Sequence, residues 1–176
     1  KYLRKIWKQN TEEERLLGVS LTGIMDHPVL SKTVDSTRWL KEMKDQAVLT
    51  NQEYAKLLGI PQSAAITCVK PSGTVSQLTN SASGIHARHS EYYIRTVRAD
   101  NNDPLTKLMK DEGVVNEPDV MKPDYTTVFS FPTMSPKGAS VRKDISAIEQ
   151  LELWKIYAQE WCEHKPSITV TVKEDE

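Results

Sequence analysis

Hydrophobic and polar residues follow two different periods along the chain, which predict strands and helices in alternation. Short apolar runs that are stopped by glycine, proline or a polar loop predict the strands. The run AAITCV at Ala64–Val69 is the most compact of these and contains β-branched residues, so it predicts a buried strand. The predicted strands are Leu17–Thr22, Ala64–Val69, Tyr92–Val97, Thr126–Phe131 and Ser167–Val172.

Apolar residues three and four positions apart predict helices between these strands. Asn51 is the expected cap of a helix that follows Val34–Val48, with Gly59 and Pro61 as its end. A short helical stretch is expected after Thr74, and Leu105–Lys110 predicts a helix of its own. Pro132 is expected to end the strand before it and to open a loop.

The last predicted helix carries the clearest start signal in the chain. Ser146-Ala147-Ile148-Glu149 fits a capping box, in which the serine and glutamate side chains each bond a backbone N–H of the other residue. Strand and helix alternate throughout, which favours an α/β or α+β sheet fold. The face that this helix is expected to bury consists of Ala147, Leu151, Trp154, Ala158 and Trp161.

Length and charge exclude several classes of protein. The chain has 176 residues, the size of one domain, with Lys+Arg 23, Asp+Glu 24 and a formal net charge of −1. This balance does not favour non-specific binding of nucleic acid or anionic membranes, which requires a surplus of positive charge. Uncharged stretches such as Gly18–Met25 are far shorter than the roughly 20 apolar residues of a membrane span. The two cysteines, Cys68 and Cys162, match neither a disulfide framework nor a zinc pattern, so a reducing, cytoplasmic setting is expected.

The two ends of the chain favour a piece of a longer polypeptide. The sequence starts without Met inside an amphipathic pattern that includes Leu3, Ile6 and Trp7, and it stops just after the predicted strand Ser167–Val172. We therefore expect residues 1–176 to form a single partial domain.

The strand–loop–helix unit at Ala64–Leu78 is the most informative local feature. Pro71 suits a turn or a first helical position, and Gly73 allows a ligand to approach the backbone closely. Hydroxyl groups and the free amides of a helix start together favour an anion, most often a phosphate. The same residues also fit an ordinary turn followed by a helix N-cap. The loop matches neither the Walker motif G-x-x-x-x-G-K-[ST] nor the dinucleotide-binding motif G-x-G-x-x-G. Both interpretations stay open on the residues alone; the residues concerned are Lys70, Pro71, Ser72, Gly73, Thr74, Val75 and Ser76.

The other residues that could carry chemistry favour structural roles. His86 and His89 are three positions apart but have no third metal ligand nearby, so we expect polar loop histidines and no metal site. Cys68 lies in an apolar run and would need an activating base to act as a nucleophile, so we expect it and Cys162 to be packing residues. The arginines that could meet a phosphate, but that more often lie at the surface or in ion pairs, are Arg88, Arg95 and Arg98.

Ordered blocks over nearly the whole chain resemble the large chain of ribonucleotide reductases. The similarity is greatest to the adenosylcobalamin-dependent class, in particular its monomeric ribonucleoside-triphosphate reductases. The loop alone would be a weak motif, but the set of blocks in family order is specific. The blocks are GVSLTGI at Gly18–Ile24, AITCVKPSGTVSQL at Ala65–Leu78, SGIHAR at Ser83–Arg88, YYIRTVR at Tyr92–Arg98, Ile148–Trp154 and Trp161–Val170.

This resemblance implies a fold, a site and a chemistry. The chain would be a partial segment of the ten-stranded α/β barrel of ribonucleotide reductases. In that family the loop at this place holds the phosphates of the ribonucleotide substrate, with Pro71 near the sugar and base. For the whole enzyme it implies adenosylcobalamin and a dithiol reductant such as thioredoxin. The implied substrate phosphate-binding residues are Pro71, Ser72, Gly73, Thr74, Val75 and Ser76.

The chain also departs from the family pattern. The family's radical cysteine has an Asn two residues before it and a Glu two residues after it, and a further cysteine pair supplies electrons. Cys68 and Cys162 lie in neither setting, so we expect no catalytic residue here and no reductase activity from the chain alone. One alternative is a non-catalytic nucleotide-binding or interaction module derived from the same barrel. Another is the same barrel segment from a class that generates its radical without cobalamin.

A cut barrel is expected to leave apolar surface or a strand edge uncovered. Such surfaces tend to find partners. We therefore expect self-association of the isolated chain, with Ala64–Val69 or Ser167–Val172 near the contact.

Overall fold

A computed structural model describes residues 2–174, which form a mixed arrangement of helices and strands in two compact units. The first unit contains the chain up to Arg88 and again from Ser140, and the second unit is residues 89–139. No helix within 2–174 combines the length and the hydrophobicity needed to cross a membrane. The helices are α1 (Lys5–Glu14), α2 (Thr33–Leu58), α3 (Val75–Leu78), α4 (Pro104–Asp111) and α5 (Ala147–Glu160); the strands are β1 (Val19–Ser20), β2 (Thr67–Cys68), β3 (Tyr92–Asp100), β4 (Asn116–Pro118) and β5 (Thr126–Met134).

The first unit is built on a short parallel sheet in which β1 pairs with β2, Val19 opposite Thr67 and Ser20 opposite Cys68. Helices α2 and α5 pack together, and the core includes Leu40, Val69 and Trp161. The indole N–H of Trp161 donates to the carbonyl of Cys68 at 2.7 Å. The core therefore lies directly behind β2, the strand from which the loop at 70–76 departs.

The second unit is an antiparallel sheet with strand order β3-β5-β4. Strands β3 and β5 pair from Tyr92 opposite Met134 to Asp100 opposite Thr126, and Phe129 at the centre of β5 is fully buried. The chain leaves the first unit at Arg88 and returns at Ser140, where the Arg88 N–H donates to the Ser140 carbonyl at 3.0 Å. The prediction of one partial domain over residues 1–176 is not decided by this division and stays a prediction.

The alternation of helices and strands confirms the predicted α/β class, but some boundaries differ. Helix α2 runs without a break from Thr33 to Leu58, so a separate helix capped by Asn51 is wrong. The Asn51 side chain instead bonds the backbone N–H and the hydroxyl of Ser63, both at 3.0 Å, and so fixes the segment after the helix. The predicted end at Gly59 is confirmed, because Gly59 adopts the left-handed conformation with φ 65°.

Strand β5 continues through Pro132 to Met134, two residues beyond the proline that was expected to end it. Strand β4 pairs only with Thr127–Phe129, so Pro132 lies where β5 has a neighbour on one side. A proline is tolerated at such a place because no ladder partner requires its missing N–H.

The capping box of α5 is confirmed. The Ser146 hydroxyl accepts the Glu149 N–H at 3.2 Å, and the Glu149 carboxylate accepts the Ser146 N–H at 2.9 Å. The buried face is centred on Leu153 and Tyr157, whereas Leu151 is 42% exposed, so the predicted position of Leu151 on that face is wrong.

The predicted strand at Ser167–Val172 is also wrong. The segment pairs with no other strand, and side chains hold its backbone instead. The Trp154 indole donates to the Pro166 carbonyl at 2.9 Å, Gln150 donates to the Thr169 carbonyl at 3.1 Å, and the Thr169 N–H donates to His86 Nε2 at 3.0 Å. An alternating sequence becomes a strand only when a neighbouring strand bonds its backbone. Here the backbone of Thr169 bonds the side chains of Gln150 and His86 instead.

Candidate functional site

The loop between β2 and α3 starts from the buried end of β2 and is itself largely exposed. Ser72 organises it: the Ser76 N–H donates to Ser72 Oγ at 2.8 Å, and the Ser76 hydroxyl donates to the Ser72 carbonyl at 2.8 Å. Ser76 is fully buried and its hydroxyl hydrogen is used within the loop. The hydroxyl hydrogen of Ser72 has no acceptor among the described residues. Ser76 therefore shapes the loop, and Ser72 can both shape it and donate to a bound acceptor.

Two backbone N–H groups remain available at the start of α3. Within residues 2–174 the amides of Thr74 and Val75 have no hydrogen-bond acceptor, and both residues are exposed. The Thr74 carbonyl already accepts from Gln77 and Leu78, at 3.0 and 3.1 Å, which fixes the orientation of this turn. Adjacent amides that are fixed and unpaired form a binding place for an anion.

Gly73 and Gly84 serve different purposes. A Cβ on Gly84 would lie 2.9 Å from the Lys70 carbonyl oxygen, and its φ of +55° lies in the left-handed region, so the fold itself requires glycine there. A Cβ on Gly73 would meet nothing within 4 Å, and its φ lies outside the left-handed range. Neither space nor backbone conformation within the described residues therefore requires a glycine at 73.

Lys70 directly precedes the loop and is exposed. Arg88, one of the arginines that could have met a phosphate, is buried and forms an ion pair with Asp26 at 2.9 Å. Arg98 lies on β3 in the second unit and pairs with Asp119 at 2.8 Å, and Arg95 lies on the same strand. The structure thus supports structural roles for Arg88 and Arg98.

The histidines and cysteines also have structural surroundings. His86 Nε2 accepts the Thr169 N–H, so Nδ1 carries the hydrogen that faces the Ser83 carbonyl at 3.1 Å. His89 contacts Tyr93 edge to face in the second unit. Among residues 2–174, no group of three or more His, Cys, Asp or Glu side chains could hold a metal ion. Cys68 and Cys162 are buried and unpaired, and burial is the main cause that raises the pKa of Cys162 to about 11.

A cavity of about 550 Å³ lies elsewhere in the first unit, at the start of α2. Its lining combines Lys32 with four acidic residues, and no residue of the loop at 70–76 contributes to it; the acidic residues are Asp35, Asp144, Glu149 and Glu152. We assign no ligand to this cavity, because neither its charges nor its position select one.

Glu163 supports β2 in a way that sequence analysis missed. Its carboxylate accepts the backbone N–H groups of Ile66 and of Thr67, the latter at 2.9 Å, and its own N–H donates to the Thr67 carbonyl at 3.1 Å. Burial acts to raise the pKa of Glu163, but the Thr67 and Ile66 N–H groups, with help from Lys44, outweigh it and hold the pKa below the usual 4.5. Nothing in the sequence marks this contact, because 96 positions separate Glu163 from Thr67.

We predict that Glu163→Gln makes the protein less stable near neutral pH and that the difference narrows in acid. The pKa is lower in the folded state, so the stabilisation by Glu163 is complete above the unfolded pKa of about 4.5 and is lost as the pH falls below it. Urea unfolding at several pH values between about 3 and 7 measures this difference. Glu53→Gln, at an exposed position of α2, controls for the loss of one negative charge. An equal difference between wild type and Glu163→Gln at every pH would contradict the assignment.

Comparison with known proteins gives consistent matches in sequence and in structure. The chain is 30% identical over 168 residues to an adenosylcobalamin-dependent ribonucleoside-triphosphate reductase of Euglena gracilis. The aligned region covers 94% of this chain and 23% of that protein. A reductase of the same name from Lactobacillus gasseri is 32% identical, with 98% of this chain and 26% of that protein covered. No family model matches the chain.

A crystal structure of a B-12 dependent (class II) ribonucleotide reductase has the same fold over this region. It superposes with a TM-score of 0.73 at 24% identity, covering 94% of this chain and 27% of that one. The chain therefore spans about a quarter of the length of the curated relatives that it matches. The predicted partial segment of a larger α/β fold agrees with this coverage.

Proposed function

We propose that this chain, which is homologous to a segment of the adenosylcobalamin-dependent ribonucleoside-triphosphate reductases, supplies the loop that holds the phosphates of a ribonucleotide substrate. The observation that carries the proposal is the pair of unpaired, oriented amides at Thr74 and Val75 next to a glycine that the fold does not need. The proposed phosphate-binding residues are Pro71, Ser72, Gly73, Thr74, Val75 and Ser76.

Each residue has a distinct part in this proposal. The Thr74 and Val75 amides donate to phosphate oxygens, and the free hydroxyl hydrogen of Ser72 adds a third donor. Gly73 leaves room for the phosphate beside the backbone, and Lys70 adds positive charge from the end of β2. Ser76 stabilises the turn through its two hydrogen bonds with Ser72. Pro71 is exposed before Ser72, and we assign it to the sugar and base.

We also propose that this chain belongs to a longer reductase. It would replace the ribose 2′-OH by hydrogen through a thiyl radical on a cysteine outside this chain. Adenosylcobalamin would supply the initiating radical, and a dithiol partner such as thioredoxin would supply electrons, in the cytoplasm. No residue of this chain is assigned a contact with adenosylcobalamin. Residues 1–176 would form one slice of the catalytic barrel.

We predict that the 176-residue chain produces no deoxyribonucleotide, even with adenosylcobalamin, a dithiol and ribonucleoside triphosphate. Cys68 and Cys162 are both buried, and neither has the sequence setting of a radical cysteine. A longer protein that contains this segment and an upstream Asn-x-Cys-x-Glu block is expected to be active in the same assay. Product formed by the purified chain alone would contradict the proposal. An inactive longer protein that still binds nucleotide would favour the alternative of a non-catalytic nucleotide-binding module.

Self-association of the isolated chain remains a prediction. Its support is the exposed apolar surface of the first unit, for example Leu3 on the approach to α1 and Leu57 in α2, which are 88% and 78% exposed. Ile66 and Val69 are buried, so they do not contribute to that surface.

A further inference from the structure

An ion pair between the buried Arg88 and the partly exposed Asp26 lies behind the proposed phosphate loop. The Arg88 guanidinium donates to both carboxylate oxygens of Asp26, from Nε at 3.1 Å and from Nη2 at 2.9 Å. The same guanidinium donates to Asn80, from Nη2 to the carbonyl at 2.6 Å and from Nη1 to the side-chain oxygen at 3.3 Å. Only 6% of the Arg88 side chain is exposed. All of its nitrogen atoms are therefore engaged within the protein, and Arg88 does not bind a phosphate itself.

The ion pair bonds two residues of the turn at 80–83, Asn80 and Ala82. Asp26 Oδ2 accepts the Ala82 N–H at 2.7 Å while it pairs with Arg88. Arg88 holds the carbonyl of Asn80, a non-glycine residue in the left-handed conformation with φ 47°. The Ala82 carbonyl in turn accepts the Gly23 N–H at 2.7 Å. This turn is thus held from both sides by charged and backbone partners.

The turn is also the support on which the phosphate loop rests. Ser83 Oγ accepts the Ser72 N–H at 2.7 Å, and the Ser81 N–H donates to the Ser76 carbonyl at 2.8 Å. Ser72 and Ser76 are the residues that frame the amides of Thr74 and Val75. The backbone of residues 80–83 therefore joins the hydrogen bonds of Asp26 and Arg88 to those of the proposed site.

We propose that Arg88 and Asp26 are positioning residues for phosphate binding: they hold the turn at residues 80–83 so that Ser83 fixes Ser72 and keeps the Thr74 and Val75 amides in one orientation. This inference rests on the proposed phosphate site. A lysine at 88 retains the charge but not the planar fork that bonds Asp26 and Asn80 together. The turn and the loop then lose their fixed geometry, and the amides lose affinity for phosphate.

Titration of the 176-residue chain with tripolyphosphate by isothermal calorimetry tests the inference. We expect Arg88→Lys to raise the Kd by about tenfold or more. Ser83→Ala leaves the ion pair intact and removes the acceptor of the Ser72 N–H, so it should raise the Kd by a similar factor. The control is Tyr157→Phe, which removes a buried hydrogen bond to the Leu30 carbonyl at a place outside the loop and the turn. It is expected to lower the melting temperature but to change the Kd by less than about twofold.

The outcomes separate this inference from the function on which it rests. Failure of the wild-type chain to bind tripolyphosphate would overturn the proposed phosphate site, and the positioning role with it. Tight binding by the wild type together with wild-type Kd values for Arg88→Lys and Ser83→Ala would overturn the positioning role alone. A Kd increase in Tyr157→Phe that matches the other variants at equal loss of stability would show a merely structural effect. If Arg88→Lys does not fold, Ser83→Ala decides.

Discussion

Replacing Gly73 with valine is expected to weaken the binding of a ribonucleoside triphosphate by about a hundredfold, equivalent to about 2.7 kcal/mol. A valine side chain at 73 would occupy the space beside the Thr74 and Val75 amides that we assign to the phosphate. The free energy of unfolding should change by less than about 1 kcal/mol, because a Cβ there meets nothing within 4 Å and the backbone is not in the left-handed range. Calorimetric titration and urea unfolding measure the two quantities on the same samples.

The same substitution at Gly84 provides the matched control. Valine there would place a Cβ 2.9 Å from the Lys70 carbonyl oxygen on a backbone with φ +55°. We expect Gly84→Val to lower the free energy of unfolding by about 2 kcal/mol or more. The prediction for Gly73 is contradicted if Gly73→Val binds the nucleotide as wild type does, or if it is destabilised as much as Gly84→Val.

Replacing Trp161 with alanine is expected to lower the free energy of unfolding by about 3–5 kcal/mol. The indole is 2% exposed and belongs to the core of the first unit. Its N–H satisfies the Cys68 carbonyl at 2.7 Å, and the Trp161 carbonyl accepts the Thr67 hydroxyl. Alanine would therefore leave a cavity and remove the stronger hydrogen bond to the Cys68 carbonyl, which would keep only the Leu21 N–H at 3.4 Å. Urea unfolding measures the loss.

Two further variants identify the cause. Trp161→Phe retains most of the packing but not the indole N–H, so its stability should lie between those of the wild type and Trp161→Ala. Trp39→Ala removes an indole that is 49% exposed, and its effect should stay below about 1 kcal/mol. Equal effects of Trp161→Ala and Trp39→Ala would mean that the core is not organised around Trp161.

The sequence predicted correctly those elements that depend mainly on residues close together in the chain. The capping box at Ser146 needs only four consecutive residues, so it was found. The run at Thr126–Phe131 was also found, because its β-branched and aromatic residues favour a strand and β3 and β4 pair with it. The predicted helix boundary at Asn51 failed because its side chain bonds Ser63, beyond the end of α2. The predicted strand at Ser167–Val172 failed because a strand depends on a neighbour, which the sequence does not show.

Sequence likewise predicted the local part of the candidate site but not the distant contacts that support it. The Pro-Ser-Gly-Thr loop was visible in the sequence because its turn residues and its position after an apolar run are local features. The residues that support it were not visible: Arg88 meets Asp26 across 62 positions, and Glu163 meets Thr67 across 96. Sequence also could not show that the fold requires Gly84 but not Gly73, since that difference lies in φ and in the neighbouring Lys70 carbonyl.

Amide chemical shifts of the ¹⁵N-labelled chain, recorded during titration with a ribonucleoside triphosphate, test the phosphate site most directly. The same titration with the matching nucleoside, which has no phosphates, is the control. We predict saturable shifts of the Thr74 and Val75 amides with the triphosphate, much smaller shifts with the nucleoside, and none at these positions in Gly73→Val. Binding of the triphosphate that leaves the Thr74 and Val75 amides unchanged, or shifts of equal size with the nucleoside, would contradict the account.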